Sequence, residues 1–294
     1  MLEISNSSLS TYQTCQKKWA WQYVDGLKPR YKSSALTLGE IMHKAFDRYY
    51  KSMSIDAITK FINDTYKEEM ANCGPEDQEQ IYLDGKTALG MFLNFPFDQM
   101  KFEEMHSEEE FNVPLDKNIT FTGRVDGKVK REGKWWIREV KTTSESTQMF
   151  EKRAAISSQA TGYVYGIEAR DSVDIQGIIY DYIRKPKLYK RMDECTEEFG
   201  HRIYLDYCNI AKKKSYFGRY PTYRTPKDIE RWKTDALKTA EEIQSSMTGN
   251  KYPRNTNACY AYNTECPYLK ICMSEHVDPM IVELFYDKKE EVKV

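Results

Sequence analysis

The sequence predicts an α/β protein, a small sheet carried inside a helical frame. Three observations predict it. Apolar residues recur at helical spacing through the first hundred positions, the period falls to two between Phe111 and Lys141, and helical patterns return afterwards with one strand-like run among them. The 294 residues include 22 Tyr, 12 Phe and 5 Trp, enough to fill a sizeable core although the mean hydropathy is −0.74.

Leu9, Tyr12, Trp19 and Tyr23 suit one face of a first helix, which Gly26 and Pro29 end. A second helix over Leu36–Tyr50 places Leu38, Ile41, Met42, Ala45, Phe46 and Tyr49 on one stripe. Helical patterns continue over 55–71 and 76–94, separated by the turn at Cys73-Gly74-Pro75. From Phe111 the chain alternates, and Phe121–Val129 and Trp135–Lys141 flank the turn Arg131-Glu132-Gly133-Lys134, a hairpin pattern. A helix over 152–169, a strand over 173–183 and two polar helices over 193–248, broken near Gly218 and Pro221, complete the order. The tail from 251 is rich in Pro, Asn and Cys. Three regions follow: a helical one (1–100), a core sheet (101–190) and a helical, Cys-rich one (191–294).

With 44 Lys plus Arg against 45 Asp plus Glu, the net charge of −1 excludes a histone-like basic binder. The balance is local. Residues 184–233 hold 14 basic and 7 acidic side chains with six Tyr, and residues 12–32 hold five against one with Tyr12, Trp19, Trp21, Tyr23 and Tyr31. Cations laced with rings resemble a groove for single-stranded nucleic acid, and equally a solvated face over core aromatics. There is no apolar run of the ~18 residues a membrane span needs, and the opening MLEISNSSLSTYQ lacks the layout of a secretory signal. Seven Cys without such a signal point to a reduced, cytoplasmic setting, where clustered thiols mean metal before disulfides.

The sharpest pattern is Gly123-Arg124-Val125-Asp126 followed by Glu139-Val140-Lys141. Side chains two apart on a strand share a face, so Glu139 and Lys141 point the same way. A loop centred on Glu132-Gly133 sets Asp126 across from Glu139, with Cβ atoms about 5 Å apart. Two such acids repel unless one is protonated or a hard divalent cation lies between them. Lys141 could then neutralise a phosphate or help orient and deprotonate water. The rival reading is an exposed hairpin on which Lys141 merely screens Glu139.

Asp, a dozen residues, then Glu-x-Lys resembles the core of the PD-(D/E)XK nuclease superfamily. The version here is similar to its RecB-like branch, with Gly39-Glu40-Ile41-Met42-His43 upstream and Gln159-Ala160-Thr161-Gly162-Tyr163 on the following helix; Val125 stands where the superfamily's name has proline. The resemblance implies a small mixed central β-sheet of restriction-endonuclease-like type, flanked and extended by helices, with a Cys-clasped subdomain formed by the two termini. It implies that His43, Asp126, Glu139 and the carbonyl of Val140 ligate Mn²⁺ or Mg²⁺, that Lys141 assists the attacking water, and that Gln159 and Tyr163 hold the site or the DNA. Glu110 stands where relatives often have a Glu, but Glu108-Glu109-Glu110 reads as a solvated run.

Cys259, Cys266 and Cys272 form C-x6-C-x5-C late in the chain, and Cys15 lies early in YQTCQKKWAW. Thiolates select zinc or an iron–sulfur cluster over hard ions, and the paired knuckles of zinc modules are missing. The arrangement resembles the one-early, three-late cysteines of CRISPR-associated four-cysteine and AddB-type nucleases, which implies a 4Fe–4S cluster, with structural Zn²⁺ as the alternative; the first late gap is six residues where those families often have two. Cys73, Cys195 and Cys208 read as ordinary thiols.

Gly85-Lys86-Thr87 is no phosphate loop, since Gln80 stands where its first Gly should and the context is mid-helix. No ATP use is expected, so any helicase is a separate partner. His106, His201 and His276 show no ligand spacing. The expected function is a metal-dependent deoxyribonuclease, a single-strand-preferring exonuclease at DNA ends in recombination, repair or replication. The alternatives are a non-catalytic DNA-binding or scaffold subunit of a helicase–nuclease assembly and a PD-(D/E)XK endonuclease.

Overall fold

The computed structural model describes residues 1–30, 34–99, 101–261, 264–274 and 279–288; Tyr31 and His276 lie outside them. Strand β1 (Leu2–Ser5), which the sequence pattern misses, runs straight into α1 (Asn6–Thr14), capped by the Ser5 hydroxyl on the Ser8 N–H at 3.1 Å. The single helix expected to reach Tyr23 is broken at Cys15, whose backbone is extended (φ −163°). The late segment takes up backbone groups at the break: Lys17 N–H donates to Pro253 O (3.1 Å), and Asn255 Nδ2 donates to Thr14 O (2.9 Å) while its N–H reaches Cys15 Sγ (3.4 Å). Helix α2 (Gln16–Trp19) follows, then a π-helical turn over Ala20–Val24, Gly26 at φ 69°, and β2 (Leu27–Pro29).

Helices α3 (Ser34–Tyr50), α4 (Ile55–Asn72) and α5 (Pro75–Asn94) match the predicted stripes, with Ser54 capping α4 and Pro75 opening α5. Leu38, Ile41, Met42, Ala45 and Phe46 are buried as expected, and Gly85-Lys86-Thr87 lies within α5. Strand β3 (Glu104–Asp116) begins well before Phe111 and takes in the acidic run. It pairs antiparallel with β4 (Ile119–Arg131), which pairs antiparallel with β5 (Lys134–Thr143). The β4–β5 turn is two residues, Glu132 (φ 53°) and Gly133 (φ 71°), and gives the predicted register, Gly127 opposite Arg138.

The helix expected over 152–169 is two, α6 (Thr147–Ala155) and α7 (Ser158–Asp171), because Ser157 caps the second and Arg224 takes the carbonyl of Ala154 at 2.9 Å. Next come β6 (Ile175–Arg184), α8 (Thr196–Cys208) and α9 (Lys213–Tyr216). The break near Gly218 and Pro221 is strand β7 (Phe217–Tyr223), where an edge position tolerates proline, and α10 (Pro226–Gly249) follows. The tail forms β8 (Tyr260–Ala261), β9 (Thr264–Glu265), α11 (Leu269–Met273), α12 (Pro279–Phe285) and β10 (Tyr286–Lys288).

The main sheet runs β1-β4-β5-β6-β7, with β3 also on β4. It is mixed, since β1–β4 and β5–β6 are parallel and the other pairs antiparallel. Its strands β1 and β7 come from outside residues 101–190. One core, around Phe111, Phe121, Ile137, Tyr180 and Trp232, joins the sheet to α7 and α10, and a second, around Phe46, Phe92, Val140 and Tyr207, joins it to α3, α4, α5 and α8. A third small core stacks Trp21, Tyr268 and Tyr286, where β10 pairs with β2 and brings the early and late segments together. No helix among the described residues is long and apolar enough to cross a membrane.

Candidate active site

The sheet opens at Asp126. Three strands pair with β4, but a strand has two edges, so β1 and β5 share the edge opposite β3. Strand β1 covers Ile119–Thr122 and β5 covers Gly127–Arg131, leaving 123–126 without a neighbour on that edge among the described residues. On the other edge the β3–β4 ladder between Glu104 and Pro114 omits one pair, Glu108 opposite Asp126, and Glu108 has a left-handed backbone (φ 51°). A non-glycine residue in that conformation is strained and often marks a site. The carboxylate of Asp126 fills the opening: Oδ2 accepts the Val140 N–H at 2.7 Å and Oδ1 lies 2.8 Å from His43 Nδ1.

His43 arrives from α3, which Asp47, one turn on, fastens to β3 through the Ser107 hydroxyl at 2.5 Å. Gly39, the other end of the motif, does not mark a tight contact, since a Cβ there would lie 3.8 Å from Thr142 Oγ1. From β5 come Glu139, 3% exposed, and Lys141, whose Nζ lies 3.2 Å from Glu139 Oε2 and 3.4 Å from Gln159 Oε1 on α7. Gln159 Nε2 donates to the Tyr163 hydroxyl at 3.0 Å, one turn along. All six predicted side chains therefore belong to one site.

Its electrostatics are those of acids crowded out of water. Burial and then the charge of Asp126 push Glu139 up to about 7, against the pull of Lys141 and His43. Burial also pushes Asp126 upward, but the His43 ring and the Val140 N–H outweigh it and hold Asp126 below the usual carboxylate range. Burial opposes charge on His43 and on Lys141, yet the neighbouring acids raise both. Burial, then Glu139, raises the Tyr163 phenol. Two carboxylates, an imidazole and a nearby backbone carbonyl are a donor set for a hard divalent ion, which would favour the charged form of Glu139 that burial disfavours. With Asp126 turned to His43 and Val140, no three His, Cys, Asp or Glu among the described residues are gathered as a ready-made cage.

Cys15, Cys259, Cys266 and Cys272 line one cavity of about 120 Å³ with Lys18, Trp21 and Arg254. Cys266 N–H donates to Cys259 O at 2.8 Å, and Arg254 Nη1 to Cys272 O at 3.2 Å. Burial pushes the Cys266 and Cys272 thiols up, as do the neighbouring Cys15 and Cys259. Cys195 instead caps α8 and Cys73 donates to Met70 O, so neither joins the four.

Several features escape the sequence reading. Glu108 and Glu109 are not a solvated run but pair with Arg124 (3.6 Å) and Arg170 (2.6 Å). The aromatics of the first basic segment are largely core: Tyr12, Trp19 and Trp21 are buried, and Trp19 Nε1 donates to Ser8 Oγ at 2.9 Å. Behind Glu139, Asp181 accepts from Arg138 (2.6 Å) and Arg219 (2.7 Å), tying β5, β6 and β7 together. The signal for Arg138 is a charged residue between Trp136 and Val140 on the strand side facing away from Glu139 and Lys141.

The chain is 25% identical over 204 residues to a subunit of an ATP-dependent helicase/deoxyribonuclease from Streptococcus agalactiae serotype III (strain NEM316), a match over 63% of this chain but 19% of that protein's length. A crystal structure of a candidate exonuclease from Eubacterium rectale covers 77% of this chain and 86% of its own at 12% identity and a TM-score of 0.42. The sequence profile of the PD-(D/E)XK nuclease superfamily matches residues 3–273. That match takes in the opened strand with Asp126 and the Glu139–Lys141 strand beside it, and the chain belongs to the PD-(D/E)XK nuclease superfamily.

Proposed function

We propose that the chain is a metal-dependent deoxyribonuclease acting at DNA ends, an exonuclease with a preference for single strands, in recombination, repair or replication. The observation that supports it is the meeting of His43, Asp126, Glu139, Lys141, Gln159 and Tyr163 at the opening in β4. His43, Asp126, Glu139 and the Val140 carbonyl would hold Mn²⁺ or Mg²⁺, which when bound polarises a phosphate oxygen and lowers the pKa of water. Lys141 Nζ, held between Glu139 and Gln159, is placed to neutralise a phosphate oxygen or orient the water. Gln159 and Tyr163 limit the freedom of that ammonium.

In this reading Cys15, Cys259, Cys266 and Cys272 hold a 4Fe–4S cluster, or structural Zn²⁺, that clips the two ends of the domain together. DNA lies along the basic 184–233 stretch, where Tyr189 and Tyr223 stand exposed for stacking. The relative's name joins helicase and deoxyribonuclease, and a separate helicase or recombination protein, in the cytoplasm, is the partner we infer.

End-labelled linear and circular single-stranded DNA, incubated with Mn²⁺ or Mg²⁺, test the reading. The wild type degrades the linear strand and spares circles, and Lys141→Ala cuts neither. Equal degradation by both proteins removes the site, cut circles make the chain an endonuclease, and DNA binding without cleavage makes it a scaffold protein.

A further inference from the structure

We propose that Arg224 is a positioning residue for this site: its guanidinium fixes the first turn of α7, and so sets Gln159 and, through it, Lys141. The proposal rests on the nuclease reading above. Arg224 follows β7, 9% exposed, and its hydrogen bonds go to uncharged oxygens. Nε donates to Thr161 Oγ1 (2.9 Å), Nη1 to Tyr223 O (2.7 Å), and Nη2 to Ala154 O (2.9 Å) and Ser157 O (3.5 Å).

Three of those acceptors bracket Gln159: Ala154 and Ser157 precede it, Thr161 follows it. The Ser157 hydroxyl caps α7 on the Ala160 N–H (3.3 Å), and Asn6 Nδ2 reaches the Gln159 carbonyl at 3.4 Å. The backbone of Gln159 is thus held from both sides. Its side chain is one of two anchors for Lys141, and both anchors are long, 3.2 and 3.4 Å. A small shift of the α7 start would release the ammonium from the phosphate position.

The arrangement is costly as pure scaffolding. Removing a cation from water without a carboxylate in hydrogen-bond contact carries a desolvation penalty, and burial indeed lowers the Arg224 pKa against the partial relief of Tyr180 and Asp228. Only the planar fan of a guanidinium reaches carbonyls at the end of one helix and groups on the next at once. Lysine, a single point donor, cannot do so.

The test is a mutant cycle of Arg224→Ala, Gln159→Ala and the pair, with Thr161→Val as a nearly isosteric variant that deletes one acceptor. Steady-state cleavage of linear single-stranded DNA in Mn²⁺ is measured below the melting range of every variant. We expect kcat to fall about tenfold in each single variant with KM for DNA within about twofold, Thr161→Val to lose less, and Arg224→Lys to recover little. The pair should lose no more than the worse single, because both act along one line. Multiplying losses, or an unchanged kcat beside a lower Tm, overturns the proposal and leaves Arg224 a packing residue. An inactive wild type would sink the nuclease reading instead. Amide hydrogen exchange then decides this point separately: Arg224→Ala should speed exchange at Ala160 and Thr161 while the middle of α10 keeps its protection, and no change there refutes the clamp.

Discussion

Asp181→Asn is the substitution whose cost the structure defines most sharply. Asp181 is fully buried between Arg138, itself 1% exposed, and Arg219, at 2.6 and 2.7 Å. Asparagine keeps the shape but removes the negative charge that opposes two guanidinium groups. One amide oxygen can still accept from one arginine, while the amide NH₂ faces the other. The rings of Tyr50 (4.4 Å) and Phe46 (5.1 Å) beside Arg138 soften the loss without cancelling it. Stripping a buried pair of one partner costs about 3–5 kcal/mol, and the surviving hydrogen bond argues for about 4. For a chain of this size that corresponds to a fall in Tm of roughly 10 °C. Urea unfolding at matched pH, with the slope checked for constancy, measures it. A second variant that replaces all three charges, Arg138→Met, Asp181→Leu and Arg219→Met, should recover much of the loss by replacing charge with packing. A cost below about 1 kcal/mol for Asp181→Asn would show that water or other groups already neutralise the arginines, and would refute the burial argument.

Lys141→Ala should lower kcat by at least about a hundredfold while urea midpoints stay near the wild type, as gel or fluorescence assays would show, and chelation should silence the wild type until Mn²⁺ is restored. Cys272→Ser should reduce bound iron or zinc by elemental analysis and lower Tm, whereas Cys195→Ser should do neither. Asp171 is held at about 2, from 3.8, chiefly by its hydrogen bond with Arg170 and also by Lys128. Its depressed folded-state pKa means the stabilisation is present above the unfolded value near 4 and is lost as pH falls toward 2, so Asp171→Asn should cost about 2 kcal/mol at pH 7 and a vanishing amount below pH 2 in urea titrations. Gly162→Ala would put a Cβ 2.6 Å from Trp232 Cζ2 and 2.9 Å from Asn6 Oδ1, an overpacking cost of about 1–3 kcal/mol that a helix-propensity gain of about 1 offsets in part, read as a lower urea midpoint.

What can be read from sequence is what depends on near neighbours. The Glu132-Gly133 turn fixes hairpin register locally, so the chain alone sets Gly127 opposite Arg138 and brings Asp126 to the end of that ladder beside the Glu139–Lys141 strand, and the i, i+4 pair Gln159–Tyr163 needs only a helix. The sequence misleads where distant segments intervene. The helix breaks at Cys15, where Pro253 and Asn255, far along the chain, take up the Lys17 N–H and the Thr14 carbonyl. Strand β1 is four residues long and shares its edge of β4 with β5, an arrangement no periodicity signals. Glu108 reads as solvated because Glu108-Glu109-Glu110 is acidic, yet its left-handed backbone belongs to the opening at Asp126. Gly218 and Pro221 are punctuation in most contexts but not on an edge strand.

The opened strand has a bearing on how such a chain could change over time. Among the described residues Asp126 has no counterpart in register on either flank, so the sheet hardly depends on which residue stands there, provided one side-chain acceptor still meets the Val140 amide. Asparagine would meet it. An ancestor could therefore lose its chemistry in a single codon and keep its architecture, leaving a folded, inert descendant free to serve as a docking piece for some larger machine.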